Sequence, residues 1–355
     1  MARSFVSVLI DTYNHERFIE QAIVSVLEQD FSASEREIIV VDDGSTDRTP
    51  EIVKEFEPCV RLLRKENGGQ ASAFNAGIPK CKGEIVAFLD GDDWWEPRKL
   101  AVVAGEFESH REIGTIGHGI METDEAGHQR ILVTPDRIYE SRLRNAEEAR
   151  EFLQLRAYLG TSRLAVRRRV LQKALPLPLD LRIEADEFLA AVATAYSGAR
   201  VLKEPLTNYR LHSGNLFQYR RGDPVRGRRK YIALAGIVHN LPARLGAAGI
   251  AADVINILTS SVRVDAERLR LSLGGGRSWQ SVRVERENHR QAYVQSTFGY
   301  RLFHLAVLFL AGVLPPKTFY RLRDWYSERG LARVRQVLGS ATPVPSLSLR
   351  KTNDS

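Results

Sequence analysis

Glu84-Ile85-Val86-Ala87-Phe88-Leu89-Asp90-Gly91-Asp92-Asp93 reads as an apolar strand that ends in three carboxylates. Placing so much negative charge at the end of a core strand is costly unless a cation shares the site. Oxygen ligands with no His or Cys beside them suit Mg2+ or Mn2+ rather than Zn2+. A divalent ion carrying a diphosphate meets that requirement. Two upstream stretches have the same form, Val6-Ser7-Val8-Leu9-Ile10-Asp11-Thr12-Tyr13-Asn14 and Ile38-Ile39-Val40-Val41-Asp42-Asp43-Gly44-Ser45.

Working outward, the spacing of Ile19, Ala22, Ile23, Val26 and Leu27 predicts a helix, with Asn14 placed to cap it. Thr49-Pro50-Glu51 reads as an N-cap and first turn of a helix running to about Phe56. A third strand is expected over 60–63 and a third helix over 69–80. Strand–helix alternation with continuous apolar strands predicts a parallel sheet covered by helices on both faces. Ligands of such sheets bind beyond the carboxyl ends of the strands. Asp11-Thr12, Asp42-Asp43 and Asp90-Asp92-Asp93 all fall there, so the fold would gather them into one crevice.

Farther along, 114–122 and 129–133 flank a turn and predict a hairpin. Helices are expected over 145–156 and 185–196, with strands over 161–166 and 200–204 and an arginine-rich helix that stops near Pro176. Beyond Gly222 helical patterns dominate to about Leu338, and the Pro-, Ser- and Thr-rich residues 340–355 read as a disordered tail.

The 355 residues carry a net charge of +7. Basic clusters at 167–169, 220–221 and 226–230 suit phosphate or anionic lipid. No zinc-finger spacing or aromatic RNA-binding signature accompanies them, which argues against nucleic acid. Two cysteines, Cys59 and Cys81, argue against a disulfide framework. Met1-Ala2-Arg3-Ser4 leads straight into a strand, so no secretory leader is expected, and no apolar stretch is long enough to cross a bilayer.

In order and spacing the three stretches, with Asn67-Gly68-Gly69, Asn75-Ala76-Gly77 and Trp94, resemble family 2 glycosyltransferases, inverting enzymes of the GT-A fold. The resemblance is strong over 5–110 and holds to about 216. It implies an α/β fold, a Rossmann-like, mostly parallel sheet with helices on both faces. A GT-A domain over 1–221 would divide into a nucleotide-binding half (1–110) and an acceptor and catalytic half (111–221). A helical appendage over 222–339 would follow.

Carried over residue by residue, the resemblance gives Thr12 and Tyr13 the base, Glu16 a place near the nucleoside, and Asp42, with Asp43 beside it, the base edge. Asn75 joins the donor-binding set. Asp90 and Asp92 match the DxD motif; Asp92 and Asp93 would hold Mn2+ or Mg2+, and Asp90 the ribose or donor sugar. The family's base sits in a Glu-Asp pair at a helix start. Arg182-Ile183-Glu184-Ala185-Asp186-Glu187 occupies that stretch, with alanine in place of the glutamate. Asp186 is the expected base, with Glu184 and Glu187 as alternates. Asn208-Tyr209-Arg210-Leu211-His212 is similar to the family's Tyr-Arg-x-His ending, which gives His212 the metal or the diphosphate. Arg220 and Arg221 could close over the diphosphate. Trp94 and Trp95 could stack on a sugar or pack in the core.

The implied reaction moves one sugar from a nucleotide-diphosphate sugar to a hydroxyl of a glycan or lipid-linked acceptor, as in surface polysaccharide or glycolipid assembly. UDP is the family's commonest nucleotide; GDP and dTDP remain open. The Gln-x-x-Arg-Trp motif of processive synthases is absent, so a single addition is expected. The apolar run 303–314, followed by Tyr320, Arg321, Arg323, Trp325 and Tyr326, suits either a helix at a membrane interface or a buried one. The expected location is the cytoplasm, including the inner face of its membrane. The altered Glu-Asp pair keeps open an inactive nucleotide-sugar-binding relative. A sugar nucleotidyltransferase or a dinucleotide oxidoreductase would want a glycine-rich loop that the first strand lacks.

Overall fold

The computed structural model describes residues 4–212, 214, 215, 223–292 and 298–328. Arg220, Arg221 and the expected tail over 340–355 lie outside the described residues. The chain begins with β1 (Val6–Thr12), α1 (Ile19–Leu27), β2 (Arg36–Asp42), α2 (Thr49–Lys54), β3 (Arg61–Arg64), α3 (Gln70–Gly77) and β4 (Ile85–Asp90). The four strands lie in the order β3-β2-β1-β4 and all run parallel. Their register sets Asp11 beside Asp90 and Thr12 beside Asp42. The acidic strand ends therefore share one edge, as expected.

Side chains alternate across this sheet as strand geometry dictates. Val6, Val8 and Ile10 belong to the core that also holds Ile19, Ile23 and Val26 of α1. Leu9 and Val41 point the other way, against Gly77 of α3, where a Cβ would come within 2.5 Å of Leu9. Helices thus cover both faces. Each fully buried aliphatic side chain contributes about 1.5–3 kcal/mol.

The second half supplies β5 (Trp94–Trp95), α4 (Lys99–Ser109), β6 (Thr115–Thr123), β7 (Gln129–Val133), β8 (Tyr139–Ser141), α5 (Ala146–Leu155), β9 (Ala165–Arg167), α6 (Arg168–Ala174), α7 (Ala185–Ser197) and β10 (Ala199–Arg210). The sheet continues β4-β9-β6-β10-β5, with β7 on β6 and β8 on β10. β6 and β10 are parallel, whereas β9 runs antiparallel to both β4 and β6. The predicted hairpin is β6–β7.

Four local readings change. Asn14 does not cap α1. Phe18 stands at that position with no side-chain cap, and Asn14, at φ +56°, donates its N–H to Ser45 and accepts from the Thr46 N–H. It stitches the loops after β1 and β2. Thr49 is the first residue of α2, with Arg48 before it making no side-chain cap bond, and its hydroxyl accepts from the His15 N–H. The expected strand over 161–166 opens as a 3-10 turn over Thr161–Arg163 and pairs only from Ala165. β10 extends well past 204, with irregular pairing around Pro205, whose missing N–H hides the strand from its pattern.

The last helices are α8 (Pro224–Ala247), α9 (Ala252–Gly274), α10 (Ser278–Ala292), α11 (Phe298–Val313) and α12 (Pro316–Glu328). Contacts divide the chain into two units, Met1–Asn215 with Asn240–Ile255, and Leu216–His239 with Asn256–Ser355. In the second unit, Leu271, Val284, Phe319 and Tyr320 form a small core. Glu285, 3% exposed, accepts a bidentate pair of bonds from Arg268 at 3.0 and 2.9 Å, with Arg323 at 3.7 Å. No helix among the described residues is long and apolar enough to cross a membrane.

Candidate active site

β4 delivers Asp90, and a tight turn brings Asp92 and Asp93 back beside it, closed by the Asp93 N–H on the Asp90 carbonyl. Only glycine fits between them: a Cβ at Gly91 would lie 2.6 Å from the Thr12 hydroxyl. One oxygen from each of the three carboxylates lies within 4.8 Å of the others.

Each carboxylate has different surroundings. Burial, then Asp11, Asp92 and Asp93, raise the Asp90 carboxyl well above the usual range. Asp93 is pushed up to about 8 by burial and by Asp92. Burial also pushes Asp92 upward, but His15 and His212 outweigh it and leave Asp92 lowered. His212 Nε2 lies 3.0 Å and His15 Nε2 3.8 Å from the same Asp92 oxygen. Asp11 is raised well above the usual range by burial, Asp186 and Asp92. One oxygen of Asp11 and one of Asp93 are buried and accept no hydrogen bond among the described residues. Crowded, under-satisfied oxygens with imidazole nearby fit a hard or borderline divalent cation.

Arg210 braces this cluster. Its backbone N–H donates to Asp93, and its guanidinium reaches the carbonyls of Asp92 and Glu125 and the Gln21 side chain. The guanidinium also lies over Trp94 at 4.4 Å and Phe18 at 4.8 Å.

Asp186 sits in the first turn of α7, where the helix dipole favours a carboxylate. One of its oxygens accepts from the Thr161 N–H and hydroxyl, both at 3.0 Å, and the other from the Glu187 N–H. Gln70 donates to the Thr161 hydroxyl and accepts from the Ala185 N–H. Glu187 is committed to Arg156 at 2.9 Å. Glu184, at φ +63°, is the residue before the helix and is buried. Next to Thr161, the Ser162 hydroxyl donates to Asp90 and accepts its N–H. Adjacent residues therefore touch Asp90 and Asp186.

The structure brings Thr12, Asp90, Asp92, Asp93, Asp186 and His212 together. Thr12 is buried, with its hydroxyl 3.2 Å from His15, and Tyr13 beside it is exposed. Several other expected residues already hold partners within the fold. Asp43 accepts from Lys65 at 2.6 Å and from the N–H groups of Gly68 and Gly69, so it anchors that loop. Asp42 accepts from the Ser45 N–H, with Arg64 at 3.2 Å. Glu16 accepts from the Arg48 N–H. Asn75 clasps Leu177 through both its amide atoms, which secures the segment leading to α7. Trp95 is 2% exposed, donates to the Ser162 carbonyl and carries the Lys99 amine 3.6 Å over its ring. Of its two readings, the core one fits, because no face of the indole is left for a sugar.

His15, Thr161, Ser162 and Gln70 were not singled out from the sequence. They are isolated polar residues whose roles exist only once distant segments meet.

Residues 7–175 match the family model described as Glycosyl transferase family 2. An uncharacterized glycosyltransferase of Nostoc sp. is 33% identical over 219 residues, 59% of this chain and 66% of that protein. Poly(ribitol-phosphate) beta-N-acetylglucosaminyltransferase TarS of Staphylococcus aureus is 29% identical over 193 residues, 45% of this chain and 33% of that one. The chain thus spans less than two thirds of either relative. Among solved structures, residues 1–349 of TarS in complex with UDP superpose with a TM-score of 0.60 at 17% identity, over 91% of this chain and 92% of that one. Mannosyltransferase PcManGT of Pyrobaculum calidifontis, in complex with GDP-Man and Mn2+, gives 0.51 at 20% identity, over 95% and 88%. At those identities the superpositions speak for the fold, which is GT-A. With the matched motifs, the strand-end carboxylates and this fold in one place, residues 7–175 form a glycosyl transferase family 2 segment.

Proposed function

We propose that the protein is an inverting, non-processive glycosyltransferase that moves one sugar from a nucleotide-diphosphate sugar, with UDP as its nucleotide, to an acceptor hydroxyl. The acceptor is a glycan or a lipid-linked saccharide of cell-envelope assembly, met at the cytoplasmic side of the membrane. The observation that carries this reading is the pairing of two carboxylate sites on adjacent residues: Ser162 holds Asp90 and Thr161 holds Asp186.

Asp186 is the base. Gln70 donates to Thr161, and Thr161 donates to one Asp186 oxygen, which fixes the carboxylate plane. The other oxygen accepts only the Glu187 N–H among the described residues and keeps a lone pair for the acceptor. As the acceptor oxygen bonds to the anomeric carbon, its proton passes to Asp186 and the bond to the diphosphate breaks on the opposite face. Asp92 and Asp93, with His212, would hold Mn2+ or Mg2+; when bound, the ion supplies positive charge to the departing diphosphate. Asp90 is assigned to the donor sugar or ribose, Thr12 and Tyr13 to the base, and Trp94 to the acceptor side.

Asp186→Asn tests the assignment. Donor affinity, read as a thermal shift across a panel of nucleotide-diphosphate sugars with and without Mn2+, should persist. Turnover should fall roughly 10²–10⁴-fold. Unchanged turnover would remove Asp186 from the chemistry. Binding without turnover in the unaltered protein, with every donor, would favour an inactive relative.

A further inference from the structure

The helical unit carries a surface that the transfer chemistry does not use. On α11, Leu305, Phe309 and Val313 recur at one-turn intervals and are 62%, 68% and 63% exposed. Gly312 lies on the same side of α11 and lines a groove of about 650 Å³ together with α10. From α10, Trp279, Arg283, Arg286 and Arg290 line that groove, again at helical spacing. Trp279 is 55% exposed. Among the described residues the three arginines make no hydrogen bond or ion pair. The one carboxylate in the groove, Glu287, is already approached by Arg263 at 3.6 Å.

We propose that this face of α10 and α11 docks the protein on an anionic phospholipid bilayer, the arginines among the headgroup phosphates and Leu305, Phe309 and Val313 at the acyl boundary. Aliphatic and phenyl side chains standing in water beside an indole and unpaired guanidinium groups are the chemistry of an interfacial helix. Charge decides between occupants. A second copy meeting this face would bring two arginine rows together without counterions, whereas anionic headgroups neutralise them. A soluble anion would fill the groove but leave the apolar row in water.

The sequence pattern had placed the basic and aromatic margin after 314, at Tyr320, Arg321 and Arg323. Tyr320 is instead buried and Arg323 is turned toward Glu285. Arg321 of α12 is exposed as expected, and the cations that line the groove come from α10. The inference goes beyond the transfer reaction and stands whether or not sugar is moved.

The test is flotation of the full chain with phosphatidylcholine vesicles, with and without phosphatidylglycerol, at low and high salt. Anionic vesicles should carry the protein at low salt and neutral ones should not. At roughly 1 kcal/mol per arginine, the triple variant Arg283→Gln, Arg286→Gln, Arg290→Gln should partition about 100-fold less. Leu305→Ser with Phe309→Ser should weaken binding to anionic vesicles while leaving the melting temperature within the range of surface substitutions. Equal binding to both vesicle types, or no loss in either variant, overturns the proposal. So does a lipid-free dimer that the Leu305/Phe309 variant dissociates, or full displacement from vesicles by inorganic phosphate at matched ionic strength. Donor binding is read separately by thermal shift, so a failure here leaves the transferase reading untouched.

Discussion

Asp11 shows how much a single residue can hold in reserve. One of its oxygens accepts no hydrogen bond among the described residues, and it sits in register with Asp90. Burial raises Asp11 and Asp90 well above the usual carboxylate range and lifts Asp93 to about 8. A carboxyl raised in the folded state contributes stability that is fully present below its unfolded pKa, near 3.8, and is lost as pH rises through the folded value. Without a divalent ion, the stability contributed by these three carboxyls should therefore fall as pH rises from about 4 to about 8. His15 and His118, lowered by burial, act in the opposite sense, so the carboxyl contribution is read through Asp11 itself. Asp11→Asn should raise the melting temperature more at pH 8 than at pH 5, at about 2–4 °C per kcal/mol. A shift of equal size at both pH values would show that Asp11 carries no such burden. At this scale the acidic residues were legible, because each ends an apolar strand. His15 and Ser162 were not, because nothing in their local sequence marks a polar residue that will face a partner dozens of positions away.

The elements of the first half follow from pattern because their apolar strands and helical repeats are each continuous and local. Where the sequence misled, a backbone device intervened: a proline inside β10, a 3-10 turn ahead of β9, a left-handed Asn14 in place of a cap. Gly69 is such a device with a use. At φ +83°, its backbone carries the chain into α3, so that the Gln70 and Ala71 N–H groups reach the carbonyls of Arg182 and Leu181. A Cβ there would come 2.5 Å from the Arg182 backbone. Gly69→Ala should cost about 1–3 kcal/mol in strain alone, read by urea unfolding, and should depress turnover more than donor binding, because Arg182 leads to Asp186. Gly105, inside α4 with nothing within 4 Å of a Cβ, is the counter-case. Gly105→Ala should stabilise by about 1 kcal/mol. If both substitutions behaved alike, the contact at Arg182 would have no energetic weight.

For the whole molecule, the helical unit depends on a buried charge that composition alone does not reveal. Glu285 is drawn upward by burial, but Arg323 and Arg268 outweigh that and leave it lowered. Glu285→Gln removes the buried carboxylate shared by Arg268 and Arg323, with the more exposed Asp265 still 3.6 Å from Arg268, and should cost about 3–5 kcal/mol. A shift in urea midpoint confined to the helical unit would bear this out; an unchanged midpoint would mean that solvent already neutralises the pair. The helices of this region were legible, but their inward faces were not, since charged and apolar residues share them. The first unit is organised around a much smaller feature, the Thr161-Ser162 dipeptide. One peptide bond separates the hydroxyl that holds Asp90, proposed for the donor, from the one that holds Asp186, the proposed base. A shift in either alcohol is transmitted to its neighbour, so natural variation at this joint would retune sugar choice and proton removal as a single inherited trait.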